Sequence, residues 1–150
     1  MTLKFKDLFN ILVFPFFVFL LGYALDTGVP AYQVLGWPNR LVHFLGGLSA
    51  ALAVYFVIDL VKRYNYITIS NRLLDLLLII TSVLAIASVW EMWEFLSDTY
   101  LGTHSQPNVA DTIKDMIMGA LGAVVFCVEW SLKDLYKKLK PKKVDLQPKN

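Results

Sequence analysis

Charge is scarce in this 150-residue chain: Asp, Glu, Lys and Arg together make up 17%, against about 25% in an ordinary soluble domain. Cysteine is almost missing. Cys127 stands alone, so no intrachain disulfide can form and cysteine usage says nothing about the redox compartment. No internal repeat, low-complexity segment or established catalytic motif is present. The basic tail carries a single aromatic residue, Tyr136, and does not read as a base-stacking nucleic-acid surface.

What the chain has instead is apolar residues, 57% of the total, with a mean hydropathy of +0.55. They gather into four runs at roughly residues 8–25, 41–60, 73–96 and 110–130. Each run approaches the ~20 residues that cross ~30 Å of hydrocarbon. Without water in the bilayer core, such segments are helices, and their continuous apolarity excludes a barrel. The expectation is an all-α polytopic membrane protein, a compact four-transmembrane-helix bundle. Residues 1–150 form one integral membrane domain with a basic tail at 131–150. The length leaves no room for a large extramembrane module. Pro15, inside the first run, can kink that helix without breaking it in lipid.

Lys and Arg set the orientation. Lys4 and Lys6 precede the first span, and Lys62, Arg63 and Arg72 lie between the second and third. Seven lysines follow residue 130, so twelve of the fourteen bases fall on one side. Only Arg40 and Lys114 fall on the other. Both termini are therefore expected in the cytoplasm, with the chain in the cell membrane. The first run also has the basic start, apolar middle and Gly22-Tyr23-Ala24 site of a signal peptide. Its cleavage would leave the other three spans oriented the same way. The tail KDLYKKLKPKK reads first as a topology signal and next as a contact for anionic lipid, at ~1 kcal/mol per basic residue.

The acids follow the opposite pattern. Asp26, Glu91, Glu94, Asp98, Asp111 and Asp115, six of twelve, fall at the outer ends of the spans. His43 and Arg40 begin the second span there, and His104 and Gln106 lie in the loop between spans three and four. Topology does not demand this, because Asp and Glu contribute little to it. At about 100° per residue, Glu91, Glu94 and Asp98 lie within about 60° of one another. Asp111 and Asp115 share a face four residues apart, above Met118 and Gly122 with Gly119 nearby. Asn39, Arg40 and His43 share a stripe with Gly46, Gly47 and Ala50, and Ala87, Ser88 and Leu84 lie under the third span's acids. Small residues let membrane helices approach closely, which would bring the polar tops together in an outward-opening pocket.

Ordinary readings compete residue by residue. Asp98 suits a solvated helix end, Asp111 a helix cap favoured by the dipole, and His104 a plain loop. Trp90, Trp93 and Trp130 suit interface anchors. Asp59, Asp75 and Glu129 sit beside Lys62, Arg63, Arg72 and Lys133, where pairing or snorkelling accounts for them. Glu91 lies a full turn deeper than Glu94, and charge within a span is a functional hypothesis by default. His43 and Asp115 share that standing.

The segments NRLVHFLGG, WEMWEFLSDTYLGTHSQ and DTIKDMIMGALGA, within about residues 37–125, resemble the small prokaryotic membrane proteins of the YjdF type. That family shows a basic-x-x-His-Phe start, a Trp-Glu-x-x-Glu helix, a Gly-Thr-x-x-Gln loop and an Asp-Thr-x-x-Asp lead into a Gly-Ala helix. More distantly the chain is similar to VanZ-like proteins, which are linked to glycopeptide resistance. The resemblance implies that His43, Glu91, Glu94, Gln106, Asp111 and Asp115 are the family's polar positions. Gly119 departs from the VanZ-like pattern, which often carries Asn there. No established reaction comes with the family.

Three functions then compete. The first is a metal-dependent enzyme acting on lipid-linked or headgroup phosphate at the outer leaflet. Carboxylates on facing bundle helices are how di-metal sites are built, although there the motif is Glu-x-x-His and here it is Glu91-x-x-Glu94. Glu91, Glu94, Asp115, Asp111 and His43 would hold Mg, Mn, Zn or Fe. His43 would alternatively act as base, and Arg40 would hold phosphate, with Gln106, Asp98 and His104 lining the pocket. The second is a protein that binds or transports a cation or small ligand. The third is a structural subunit whose polar plug fixes helix packing. Membrane lipids are the expected surroundings, and self-association is open.

Overall fold

A computed structural model describes residues 4–28, 35–68 and 71–140, with the side chains of 26–28 outside that description. Four helices follow in order: α1 (Phe5–Gly28), α2 (Trp37–Arg63), α3 (Arg72–Leu101) and α4 (Val109–Leu139). All four are long and apolar enough to cross a membrane. Among the described residues there is no strand. The fold is the expected four-helix membrane bundle.

Each helix runs beyond its apolar stretch. α3 starts where the Asn71 side chain accepts a hydrogen bond from the Leu73 N–H and stops at Gly102, whose φ of 67° is left-handed. A residue with a Cβ would be strained there, so glycine ends the helix. α4 starts at Asn108, whose side chain accepts from the Asp111 N–H. The cap is thus Asn108, and Asp111 is the capped residue rather than the capping one. α1 passes through Pro15 without interruption.

The bundle is centred on α2 and α4, its most extensive pair, with α3 against both. α1 packs on α2 alone as far as backbones are concerned. It reaches α3 through the Phe19 ring, whose centroid lies 6.0 Å from that of Trp90. Between α2 and α4 the backbones nearly touch. A Cβ on Gly47 would lie 1.9 Å from the Gly119 carbonyl oxygen, and one on Gly122 would lie 2.1 Å from the Phe44 carbonyl oxygen. Only hydrogen fits at either place, and this is what small residues permit between membrane helices.

Below this crossing Ala51, Ile79, Val83, Ala123 and Cys127 form a narrow buried core. Most large apolar side chains point outward instead, as suits a chain whose solvent is lipid. Trp130 is half-buried rather than free at the interface: its ring lies 5.1 Å from Tyr55 and under the Arg72 guanidinium at 4.6 Å.

One end of the bundle is tied by ion pairs. The Lys62 ammonium donates to both oxygens of buried Asp75 at 2.7 and 2.6 Å. Arg63 meets Asp7 at 3.1 Å and Asp59 at 2.9 Å. Arg72 joins Asp134, and Lys133 joins Glu129. The start of α1, the end of α2, the start of α3 and the lower part of α4 therefore share one end of the bundle.

The glycine crossing yields a paired prediction. Gly47→Ala forces backbone apart and should destabilise the bundle by more than the ~1–3 kcal/mol usual for overpacking. Gly46→Ala, whose Cβ would meet nothing within 4 Å, should be neutral or slightly stabilising. Thermal melting of both variants in detergent distinguishes them; equal melting temperatures would contradict the crossing.

Candidate functional site

At the opposite end from these ion pairs, α2, α3 and α4 each contribute a titratable side chain to one point. His43 lies one turn before Gly47 on α2, Asp115 one turn before Gly119 on α4, and Glu91 one turn after Ala87 on α3. A Cβ on Gly119 would lie 3.7 Å from the His43 carbonyl oxygen and 3.8 Å from Ala87 Cβ. The small residues therefore form the floor directly under the polar layer.

The imidazole stands between two carboxylates. His43 Nδ1 is 3.8 Å from Glu91 Oε1 and His43 Nε2 is 3.7 Å from Asp115 Oδ2. Both gaps are too long for direct hydrogen bonds. Glu91 is 5% exposed and Asp115 2%. Glu91 Oε1 and Asp115 Oδ1 are buried, and neither has a hydrogen-bond partner among the described residues. The remaining oxygens are held: Asn39 Nδ2 donates to Asp115 Oδ2 at 2.9 Å and Gln106 Nε2 to Glu91 Oε2 at 3.3 Å. Glu94 joins from the next turn of α3, its Oε1 accepting from the Trp90 indole N–H at 2.8 Å. One ligand atom each from His43, Glu91 and Glu94 falls within 4.8 Å of the others.

The loop after α3 closes the site. Gln106 donates to Thr112 Oγ1 at 2.6 Å as well as to Glu91, so one amide links α3 to the start of α4. Asp98 holds that loop from beneath. Its oxygens accept from the Thr103 hydroxyl at 2.5 Å and from the Ser105 and Gln106 N–H groups at 2.9 and 2.8 Å. Asp98 is thus neither a free solvated acid nor a ligand in the cluster, but the anchor that sets where Gln106 points.

Of the residues expected in the pocket, His43, Glu91, Glu94, Asp115 and Gln106 come together. Asp111 sits in the first turn of α4, half-buried and one turn above Asp115. Arg40 is half-buried, within electrostatic reach of Asp115, and its Nε is buried without a partner among the described residues. His104 is exposed in the loop, on the Asp98 side rather than in the cluster. Sequence reasoning missed three supporting groups. The sequence places Asn39 on the stripe of His43 and Thr112 in the Asp-Thr-x-x-Asp motif without giving either a partner, and it reads Trp90 as an interface anchor, although its indole holds Glu94. The spacing of Trp90 and Glu94, four residues apart, was the available signal.

A family model described as "Predicted membrane protein (DUF2238)" matches residues 2–133, a stretch that contains every residue of the cluster. No curated protein and no solved structure matches the chain.

The Asp98 arrangement makes its own prediction. Asp98→Asn weakens the acceptor for two backbone N–H groups and should loosen residues 103–106 by about 0.5–1.5 kcal/mol, the net worth of an ordinary hydrogen bond. Amide hydrogen exchange in that loop should speed up while exchange in the α2–α4 crossing stays unchanged. An unaltered loop would contradict the anchoring role.

Proposed function

The chain belongs to that predicted membrane protein family, and we propose that its His43–Glu91–Glu94 cluster, completed by Asp115, binds a divalent metal ion that serves hydrolysis of a lipid-borne phosphate. One observation carries the reading. Glu91 Oε1 and Asp115 Oδ1 are buried without partners among the described residues, and the two carboxylates flank an imidazole at distances too long for hydrogen bonds. Unpaired buried carboxylates are costly, and a dication placed among them offsets both the desolvation and their mutual repulsion. One imidazole with two or three carboxylates suits Mn, Fe or Zn, and Mg if the carboxylates dominate.

The surrounding groups support this. Trp90, Gln106 and Asn39 each donate to one oxygen of a carboxylate, on Glu94, Glu91 and Asp115, as outer-shell donors do in metal sites. A bound ion would supply a polarised phosphoryl oxygen or an activated water. Arg40, one turn before His43, has the chemistry to hold the phosphate. The orientation we propose has both termini in the cytoplasm and the cluster at the outer leaflet, because twelve of the fourteen basic residues then lie inside. The chain order Glu91, Gln106, Asp111, Asp115 also agrees with the distant VanZ-like likeness, with Gly119 in place of its amide.

A conducting pathway is less well supported. No charged residue occurs in 44–58, 76–90 or 116–128, so the titratable layer does not continue through the bundle. A plug held by a protonated His43 would be expected to close the imidazole–carboxylate gaps to hydrogen-bond length.

Purified protein repleted with metal should carry about one equivalent per chain by mass spectrometry. Trp90→Phe should weaken binding ~10–100-fold, the usual effect of losing an outer-shell partner, and Glu91→Gln and His43→Ala by more. Absence of stoichiometric metal in the wild type would overturn the reading. In vesicles containing a phosphatidic acid, phosphate release should require the metal and vanish in Glu91→Gln; a fully loaded protein that releases none would reduce the proposal to cation binding.

A further inference from the structure

The lower part of α4 presents a face that the bundle leaves uncovered. Asp115, Gly119, Gly122, Ala123 and Cys127 are buried against the other helices. On the opposite face Leu121, Val125, Val128, Leu132, Leu135 and Leu139 are 46–73% exposed. Their spacings alternate 4, 3, 4, 3, 4, the pattern of a coiled-coil seam. Within the bilayer an apolar face is simply lipid-facing. The seam does not stop there. α4 has 31 residues, about 46 Å of helix against ~30 Å of hydrocarbon. Asp134 meets Arg72, the first residue of α3, and every residue of 135–140 is exposed.

Charge is distributed around this seam and not on it. Six of the twelve residues in 129–140 are charged, and none occupies a seam position. Lys133, Lys137 and Lys140 lie about 100–160° away around the helix, and Lys138 about 100° away on the other flank. An amphipathic helix lying flat on anionic lipid would need a bend to turn out of the membrane axis. α4 is one uninterrupted helix to Leu139, and residues 123–139 contain no Pro or Gly, the usual sources of kinks. The following residues PKKVDLQPKN hold only Val144 and Leu146 as aliphatics, too few to cover the face.

We propose that this seam pairs with the same seam of a second copy, as a parallel α4–α4 coiled coil that begins in the membrane and continues beyond it. Two copies inserted with the same topology are necessarily parallel, and an apolar stripe about 27 Å long is self-complementary under two-fold symmetry. The lysines then point outward, away from the junction and from one another. The His43 cluster lies on the packed side of α4, so each copy keeps its own site.

Cross-linking in native membranes tests the pairing. In a Cys127→Ala background, single cysteines at Leu132, Leu135 and Leu139 should form disulfide-linked dimers under mild oxidation. Cysteines at Lys133, Lys137 and Lys140 should do so at least about fivefold less, following the 3–4 periodicity of the seam. Equal cross-linking at both sets, cross-linking at neither, or adducts only to a different protein would each overturn the proposal. A Leu135→Glu, Leu139→Glu double variant changes only exposed positions. It should convert the detergent-solubilised dimer to monomer by light scattering with helicity unchanged; a dimer that persists would equally overturn it.

Discussion

Contact between the backbones of α2 and α4 at Gly47, Gly119 and Gly122 is the constraint from which the rest follows. Hydrogen is the only side chain that fits at Gly47 and Gly122, so the two helices approach more closely than any branched residue would allow. In lipid no hydrophobic force pulls helices together, and association depends on such close packing and on interhelical polar contacts. The crossing sits one turn below His43 and Asp115. It therefore fixes the separation of those side chains, and α3, packed against both helices, brings Glu91 to the same level.

That placement creates an electrostatic problem whose answer defines the site. Two carboxylates with almost no exposure face each other across one imidazole. Asn39 and Gln106 each satisfy one oxygen of a carboxylate and leave the other, Asp115 Oδ1 and Glu91 Oε1, without a partner among the described residues. Polar groups in a bilayer-facing bundle are expensive and mark function by default. The basic end of the bundle shows the contrasting case. Each acid there, Asp7, Asp59, Asp75, Glu129 and Asp134, meets a Lys or Arg. Asp7 Oδ2 at that end is also buried without a hydrogen bond, but its carboxylate meets Arg63, whereas the ion-pair partner of Glu91 and Asp115 is His43, beyond hydrogen-bond length.

Much of this was legible in the sequence, for reasons that differ by feature. The four helices were readable because hydrocarbon imposes both a length and a composition on any span. Their ends were not, because Asn71, Gly102 and Asn108 set them by local capping outside the apolar runs. The meeting of His43, Glu91 and Asp115 followed from helical phase and from the small residues below each. The peripheral position of α1 was not legible, since lipid and helix are equally apolar partners for its Phe and Leu residues. Nor was the role of Asp98, which depends on a loop folding back onto it, or the indole of Trp90 turned toward Glu94 rather than toward the headgroups.

The proposed metal site is tested most directly at its ligands. X-ray absorption of the metal-loaded protein in a His104→Ala background leaves His43 as its only histidine. The proposed site requires nitrogen and oxygen ligands at about 2.0–2.2 Å with outer-shell scattering from one imidazole. A first shell of oxygen alone, or one with sulfur at about 2.3 Å from Cys127, would contradict it.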